Sequence, residues 1–406
     1  MTYHDDDLDL FAEARTERTR PVRSSGKRAA PRKKKKRRPV VWVGMVVVVA
    51  LIAVGAYYGY KQLTGIGDYE DFAGQGTEDV VIQVKGGETT GDIAATLVGD
   101  GVVASTRAFV VAAESNTKVQ GVQPGYYVMK KKASGAAAVS KIVDPKSRVG
   151  QLEVRPGAQL QDISQQNGVT EGIITKLAKG SCAELNGTST CVPPEQLVEV
   201  AKSGDLAKLG VPEWAVPDAN KAAPERRLEG LVMPGIYDVK PGSTPEELWT
   251  QLVTASATQM QAWGLPTMAD STGYTPYQVL TMASLVEKEA ITKDFGKVAQ
   301  VTYNRLREGM KLEYDSTINY VLDRPAIRTK ASDRAQVGPY NSYGNTGLPP
   351  TPISSPGENA LKAAAAPEAG PWLFFVKCQK DGTSCFAETY AKHQDNVDQA
   401  VANGAY

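Results

Sequence analysis

The 406-residue sequence predicts an α+β protein with a single N-terminal transmembrane helix, a small first module and a larger second domain. Three observations predict this organisation. An uncharged run at 40–60 follows seven consecutive Lys and Arg residues. Beyond about residue 80, the order strand, Gly or Pro/Gly turn, helix occurs first at 82–101 and recurs weakly at 152–168 and 236–253. A longer, well-capped helix is then predicted after Thr275.

The uncharged segment 40–60 has the properties of a membrane span. At about 1.5 Å per residue it reaches roughly 30 Å, the thickness of the hydrocarbon core of a bilayer. Trp42 near one end and Tyr57 near the other are typical interfacial anchors. A cleaved signal peptide is the alternative, but its apolar region is normally shorter and does not follow a polar tail such as residues 1–39. We therefore expect a retained anchor.

The charges orient this anchor. Residues 1–39 carry 13 Lys and Arg against 6 Asp and Glu, whereas residues 61–406 carry 33 against 39. The positive-inside rule therefore predicts a single-pass cell-membrane protein with a cytoplasmic N-terminus and an extracytoplasmic chain beyond residue 61. Residues 1–39 should form a disordered, basic cytoplasmic tail. Nucleic-acid binding is the other interpretation of its basic run, but a position beside a span favours contact with anionic lipids, and no nucleic-acid partner is expected.

The four cysteines form two local pairs beyond the span. Cys378 and Cys385 flank an Asp-Gly turn at 381–382 between two strand-like runs, so they can face each other across a hairpin. The spacing of Cys182 and Cys191 also favours a local bridge. A four-cysteine metal site is the alternative, but the spacings do not fit a C-x2-C pattern, and the predicted exterior is oxidising. We expect two disulfides and no metal.

Histidine is scarce. His4 lies in the tail, and His393 is the only histidine beyond the span. A zinc site with two histidines is therefore excluded outside the membrane, and any Ser-His-Asp or Cys-His site would have to use His393. Acid–base chemistry in this part of the chain should depend on carboxylates.

The start of the predicted long helix has a strong signal. Thr275 is a good N-cap, Pro276 suits the first helical position, and Gln278 completes a capping box. Apolar residues from 279 to 291 then cover most of the helix circumference. Such a helix should be largely buried.

Two glutamates interrupt this apolar surface. Thr281, Ser284 and Lys288 form one polar strip, and neither Glu287 nor Glu289 lies on it. A carboxylate among apolar neighbours is desolvated, so its pKa rises and it can hold a proton near neutral pH. The alternative is a structural ion pair with an arginine. Helix geometry alone does not choose between the two glutamates.

The stretch after residue 80 reads as a strand, a Gly-Gly turn and two short helices, the second capped by Ser105; a strand ("GYYVMKKK") and a further helix follow. This order resembles a LysM module, which implies binding to glycans that contain N-acetylglucosamine. A purely structural spacer is the alternative.

The C-terminal half contains four motifs in a fixed order, "RLEGLVMPGIYDV", "ASLVEKEA", "VAQVTYNRLREGMKLEYDSTINYVL" and "PYNSYGNTGLPPTPISSPGENALKAAAAP". Together they resemble the MltG (YceG-like) family of endolytic murein transglycosylases. The resemblance implies cleavage of nascent peptidoglycan glycan strands at the cytoplasmic membrane, without a cofactor, and peptidoglycan synthases as candidate partners. The expected organisation is a linker at 61–79, a LysM-like module at 80–147 and a YceG-like catalytic domain at 148–406.

The resemblance identifies Glu287, the first Glu of "VEKE", as the catalytic residue. It implies that Glu287 protonates the oxygen between N-acetylmuramic acid and N-acetylglucosamine, then takes a proton from the C6 hydroxyl of the same muramic acid. The product would be a 1,6-anhydro end, and such an enzyme could terminate strands.

Several other motif positions are candidates to line a substrate groove. Each could equally make a structural hydrogen bond. The proline-rich loop "GLPPTPISSPG" is expected to shape the groove wall. Two further hypotheses remain open: a hydrolase that uses Glu287 with Asp315, and a non-catalytic glycan-binding scaffold. The substrate-binding candidates are Asn304, Arg305, Glu313, Asp315, Tyr320, Tyr340, Asn341 and Tyr343.

Overall fold

The computed structural model describes residues 40–64, 69–165, 168–322 and 329–405. The chain divides into two compact units, one ending at Asp68 and one beginning at Tyr69. The predicted cytoplasmic tail, residues 1–39, and part of the predicted linker, residues 65–68, lie outside the described residues.

The first unit contains helix α1, Val40–Thr64. The side chains from Met45 to Tyr57 are all exposed. Within the part of the chain whose side chains are described, no helix is both long and apolar enough to cross a bilayer. The membrane span at 40–60 therefore stays a prediction.

The second unit begins with a three-stranded antiparallel sheet of order β1-β2-β3. Its strands are β1 (Asp79–Val84), β2 (Gly125–Lys130) and β3 (Arg148–Val149). Asp79 pairs with Lys130, and Val84 pairs with Gly125. The sheet thus ends two residues beyond the predicted module boundary at residue 147.

Three helices pack on this sheet, with Ile82, Leu97, Phe109 and Met129 in their common core. Ser105 caps α3 through a bond from Ala108 N, as predicted. The order strand, helix, helix, strand is present, while glycan binding by this module stays a prediction. The helices are α2 (Thr90–Gly99), α3 (Thr106–Glu114) and α4 (Gly135–Ile142).

The larger part has a two-stranded sheet at its centre. Strand β4 (Gln151–Val154) pairs antiparallel with β9 (Gly235–Asp238), and Leu152 lies opposite Tyr237. The predicted strand–turn–helix order at 236–253 is correct, because α8 (Pro245–Ala262) follows β9.

The same expectation for 152–168 is wrong. After β4 the chain forms a loop and then a hairpin of β5 (Ile163–Gln165) and β6 (Gly168–Thr170), and the first helix is α5 (Ile173–Gly180). Leu160 and Gly172 in this stretch bond to distant or non-helical partners instead of closing helical turns.

Two further hairpins coincide with the cysteine pairs. The structure contains both predicted disulfides, Cys182–Cys191 and Cys378–Cys385. The second one closes a hairpin whose strands pair antiparallel around the predicted Asp-Gly turn. The four strands are β7 (Glu184–Leu185), β8 (Thr188–Ser189), β10 (Phe374–Lys377) and β11 (Ser384–Ala387).

Several of the remaining helices pack around a large apolar core that includes Leu177, Trp249 and Leu280. Helix α9 is buried through most of its length and packs against α10 and α13. Its N-terminus has the predicted capping box of Thr275 and Gln278. The remaining helices of the second unit are α6 (Pro194–Ser203), α7 (Val216–Ala219), α9 (Pro276–Glu289), α10 (Phe295–Arg307), α11 (Asp315–Asn319), α12 (Ala331–Arg334), α13 (Glu358–Ala365) and α14 (Tyr390–Ala402).

Candidate active site

Glu287 lies in the last turn of α9 and is partly buried. Its Oε2 accepts a hydrogen bond of 2.9 Å from the backbone N–H of Gly357. Gly357 is the N-cap of α13 and offers no side-chain cap of its own. The carboxylate therefore binds an N–H at a helix N-terminus, where the partial positive charge favours an anion.

The pKa of Glu287 is raised above its ordinary value of 4.5. Burial is the largest cause, and it disfavours the charged form. The Gly357 hydrogen bond and the neighbouring charge of Lys288 act in the opposite direction and offset part of this effect. Glu287 can therefore serve as an acid and then as a base: burial favours its protonated form, and the Gly357 N–H stabilises the carboxylate that remains after the proton has left.

A groove of about 640 Å³ is lined by the loop after β4; Glu287 does not line it but lies close to Gly357, which is near the groove residue Pro156. Pro156 lines the groove, and a Cβ placed on Gly357 would lie 3.6 Å from Pro156 Cγ and 3.3 Å from Glu287 Oε2. The groove combines apolar surface, from Pro156 and Ile163 among others, with ion pairs of Arg155 with Glu153 and of Lys179 with Glu171. Such a mixed surface suits a sugar ligand, whose ring faces are apolar and whose rim carries hydroxyl and amide groups.

Glu289 has different surroundings. Its Oε1 accepts a hydrogen bond of 3.1 Å from Ser316 N in the first turn of α11. Burial is the largest cause that raises its pKa, bonds from Ser316 oppose this, and Asp315 adds to the increase. Glu289 therefore holds α11 against the end of α9, whereas Glu287 binds the N-terminus of α13.

Asp315 belongs to the cluster around Glu289. Its Oδ1 accepts hydrogen bonds of 2.6 Å from both the Thr329 and the Tyr343 hydroxyls, and Arg334 forms an ion pair at 3.3 Å. Burial acts to raise the pKa of Asp315, but these three groups outweigh it and hold the pKa below 3.8. Two predicted groove residues, Asp315 and Tyr343, thus contact each other.

The polar strip on α9 is not a solvated face. Ser284 Oγ accepts a bond of 3.0 Å from Ile353 N, and Lys288 Nζ lies 3.4 Å from the carbonyl oxygen of Gly157. Thr281 is buried and donates to the carbonyl oxygen of Tyr277. The strip instead lies under the proline-rich loop and the loop after β4.

Three predicted groove residues occupy structural positions. The amide nitrogen of Asn304 donates to the carbonyl oxygens of Gly370 and Trp372, and its side chain is buried. Arg305 is also buried and donates to backbone carbonyl oxygens that include Leu373 O at 2.6 Å. Asn341 is buried and bonds to backbone groups of 334–344. Their side chains support the backbone; they do not face a groove.

The other predicted residues differ in exposure. Glu313 is exposed, has a left-handed backbone with φ of 53° and forms an ion pair with Arg305. Tyr320 and Tyr340 are buried and meet edge to face, with ring centroids 5.0 Å apart. These two rings form one side of a buried polar cluster.

Glu229 lies at the centre of that cluster, and sequence reasoning did not assign it a role. Its side chain accepts a hydrogen bond of 3.0 Å from the Tyr320 hydroxyl. Burial raises the pKa of Glu229 to about 7, although bonds from Tyr320 and Leu160 and the charge of Arg226 oppose this. The available signal was a glutamate inside the apolar motif "LEGLVMPG". The role of Gly357 carried no local signal, because its partner is distant in sequence.

Comparisons with known proteins place the chain in a family. Residues 82–399 match the model of the YceG-like family. A Bacillus subtilis (strain 168) protein named endolytic murein transglycosylase is 26% identical over 327 residues, which cover 80% of this chain and 85% of that protein. A Streptococcus pneumoniae serotype 2 protein of the same name is 26% identical over 373 residues, which cover 88% of this chain and 65% of that protein.

The fold also matches a solved structure. The crystal structure of a yceG-like protein from Listeria monocytogenes superposes with a TM-score of 0.52 at 24% identity, over 78% of this chain and 99% of that one. At this identity the match concerns the fold alone. Because the family model covers most of the chain, the protein belongs to the YceG-like family.

Proposed function

We propose that this protein is an endolytic peptidoglycan lytic transglycosylase in which Glu287 acts as both acid and base. The relatives of the chain bear that enzyme name. The observation that supports the assignment of Glu287 is its position: a partly buried carboxyl group with a raised pKa, bound to the N–H of Gly357, which lies near the groove residue Pro156.

In the first step, protonated Glu287 donates its proton to the glycosidic oxygen between N-acetylmuramic acid and N-acetylglucosamine. The C1–O bond of the muramic acid breaks, and the leaving sugar keeps the proton. The new carboxylate is stabilised by the Gly357 N–H and by Lys288, the two groups that favour the charged form of Glu287.

In the second step, the Glu287 carboxylate accepts the proton of the C6 hydroxyl on the same muramic acid. The C6 oxygen forms a bond to C1, which closes a 1,6-anhydro ring and regenerates protonated Glu287. No water enters the product, so the reaction is a lyase reaction and requires neither a second carboxylate nor an activated water. A hydrolase of the usual type requires a carboxylate pair.

The surroundings of Asp315 do not favour the hydrolase alternative. Its carboxylate is bound by Thr329, Tyr343 and Arg334, and its charge interacts with Glu289. We infer that Asp315 holds the region after α11 in place, and that Tyr343 is fixed by it.

The proposed place of action is the outer face of the cytoplasmic membrane. Helix α1 with its preceding basic run would anchor the enzyme, and the chain from residue 69 would face new glycan strands. The two disulfides support an oxidising location. Peptidoglycan synthases are the proposed partners, cleavage of nascent strands would limit strand length, and the LysM-like module would add a glycan contact.

Product analysis tests the reaction type. The protein is incubated with purified murein, and the released fragments are analysed by mass spectrometry. Fragments that end in 1,6-anhydro-muramic acid are expected. Ordinary reducing ends, formed by the addition of one water per cleaved bond, would instead establish a hydrolase. Binding to murein without any cleavage would establish a glycan-binding scaffold.

A further inference from the structure

Glu229 is a buried carboxylate that the proposed reaction does not use. Its side chain is only 2% exposed. The backbone N–H of Leu160 lies 3.3 Å from one of its carboxylate oxygens and 3.4 Å from the other. The Tyr320 hydroxyl donates to Oε2 at 3.0 Å. A charged group this deeply buried is expensive unless it binds specific partners, so its two donors need an explanation.

Leu160 belongs to the groove loop, which we define as residues 155–161 between β4 and β5. This loop is bonded to residues 353–357 of the proline-rich loop, which we call the clamp segment. Gly157 N donates to Ser355 O at 2.8 Å, and Ser355 N donates to Ala158 O at 2.7 Å. Gln159 Nε2 adds a bond of 3.1 Å to Ile353 O. The two segments are therefore fastened together along their length.

The residue after Glu229 contacts the chain beside the clamp segment. Gly230 has a φ of 71°, and a Cβ on it would lie 2.3 Å from Pro352 Cβ. Only glycine fits this close approach in that backbone conformation. The Glu229-Gly230 pair thus fixes the groove loop on one side and the start of the clamp segment on the other. The clamp segment ends at Gly357, whose N–H binds Glu287.

We propose that Glu229 is a positioning residue: by binding Leu160 and Tyr320, it holds the groove loop against the clamp segment and so keeps the Gly357 N–H on the Glu287 carboxylate. The positioning role itself is inferred from geometry, whereas its expected effect on the reaction of Glu287 rests on the proposed function. Glu229 itself does not touch the reacting sugar in this account.

The charges around Glu229 are consistent with this role. The guanidinium of Arg226 lies 4.1 Å from the centroid of the Tyr320 ring and 5.1 Å from that of Tyr340. The positive charge of Arg226 acts to lower the pKa of Glu229, against the larger effect of burial. Burial lowers the pKa of Lys288, and the negative charge of Glu229 opposes this in part. The neighbouring titratable groups from the other packed elements are Tyr277 and Tyr340. A partly retained negative charge makes Glu229 a stronger acceptor for Leu160 N–H.

Two variants probe the role of Glu229. Glu229→Gln keeps the size of the side chain but replaces one acceptor oxygen with an NH2 donor that faces existing donors. Tyr320→Phe removes the hydroxyl and leaves every charge in place. Tyr127→Phe is the matched control, because Tyr127 is 4% exposed and its hydroxyl donates to Gln123 O at 2.6 Å in the N-terminal module.

The first measurement is amide hydrogen exchange on the full-length chain, resolved to peptides that cover 155–161 and 353–357. Both Glu229→Gln and Tyr320→Phe are expected to accelerate exchange in both peptides by at least about tenfold, because local opening of the fastened segments becomes easier. Tyr127→Phe should leave both peptides unchanged. Exchange rates in both peptides that equal those of the wild type, in both Glu229→Gln and Tyr320→Phe, would overturn the proposal.

The second measurement is the pH profile of anhydro-end formation by the same proteins. Loss of the Gly357 hydrogen bond raises the pKa of Glu287 further, so the decline of kcat at alkaline pH should move to higher pH, with kcat at least about tenfold lower at its optimum. An unchanged profile alongside accelerated exchange would overturn the link to Glu287. If wild type forms no anhydro ends, the proposed function fails, while the exchange experiment still tests the positioning role.

Discussion

Glu287 and Glu289 are two positions apart on α9, and their side chains therefore diverge by about 200° around the helix axis. One side chain reaches the N-terminus of α13, and the other reaches the first turn of α11. Burial is the largest cause of the raised pKa in both. Their partners distinguish them: Glu287 lies near the groove residue Pro156, whereas Glu289 binds Ser316 in a buried cluster.

The pH dependence of the reaction should follow the pKa of Glu287. Its first step needs the protonated form, and burial places the pKa above the ordinary value of 4.5. Activity is therefore expected to persist above pH 4.5 and to fall as the pH rises through the pKa of Glu287. Initial rates of anhydro-end formation across the pH range measure this. A rate that increases steadily with pH through the neutral range would contradict an acid role.

Substitution of Asp315 should change the rate but not the chemistry. Asp315→Asn weakens the bonds from Tyr343 and Arg334, so we expect a lower rate and a less stable fold. The products should still end in 1,6-anhydro rings, because no carboxylate other than Glu287 takes part. Complete loss of cleavage in a folded Asp315→Asn variant, or hydrated ends in place of anhydro ends, would contradict a purely structural role for Asp315.

At the scale of elements, the site depends on the placement of α9. Its capping box was predictable from Thr275, Pro276 and Gln278, because all the bonds that form it are local. We expect Thr275→Ala to lower the free energy of unfolding by about 1 kcal/mol. Thr89→Ala, which removes the same type of cap from α2, should have a similar effect in denaturant titrations. A stability equal to wild type for Thr275→Ala would contradict the contribution of the cap.

What could not be predicted from the sequence depends on distant partners. The polar strip of α9 was identified, but its partners were not: Ser284 binds Ile353 and Lys288 approaches Gly157, which lie 69 and 131 residues away. The expected helix after β4 does not form; backbone groups there bond to distant partners instead, Gly157 N to Ser355 O and Leu160 N to the Glu229 carboxylate. Periodicity reports which residues are apolar, but it does not report which segment covers them.

The site residues divide in the same way. The motif resemblance identified Glu287, which binds the N-terminus of α13 near the groove residue Pro156; its catalytic role stays a prediction. It did not separate Asn304 or Asn341, which support the backbone, from residues that face solvent such as Glu313. An amide in a motif looks the same whether it binds a sugar or a carbonyl oxygen of its own chain.

At the scale of the whole molecule, the predicted membrane anchor would determine where the enzyme works. Full-length protein expressed in bacteria should sediment with membranes and be released by detergent, whereas residues 62–406, exported with a cleavable signal, should be soluble. Immunoblots of the fractions measure this, and an intact full-length protein in the soluble fraction would contradict the anchor. Protease added to intact spheroplasts should digest the chain beyond residue 69 and spare the tail.

The central claim is that one glutamate performs both proton transfers. The most direct test is mass spectrometry of murein digests made with wild type, Glu287→Gln and the matched control Glu289→Gln. We predict that Glu287→Gln lowers the yield of 1,6-anhydro ends by at least about 100-fold, while Glu289→Gln, if folded, retains the same product type. Undiminished 1,6-anhydro ends from folded Glu287→Gln, or their loss only in Glu289→Gln, would contradict the account.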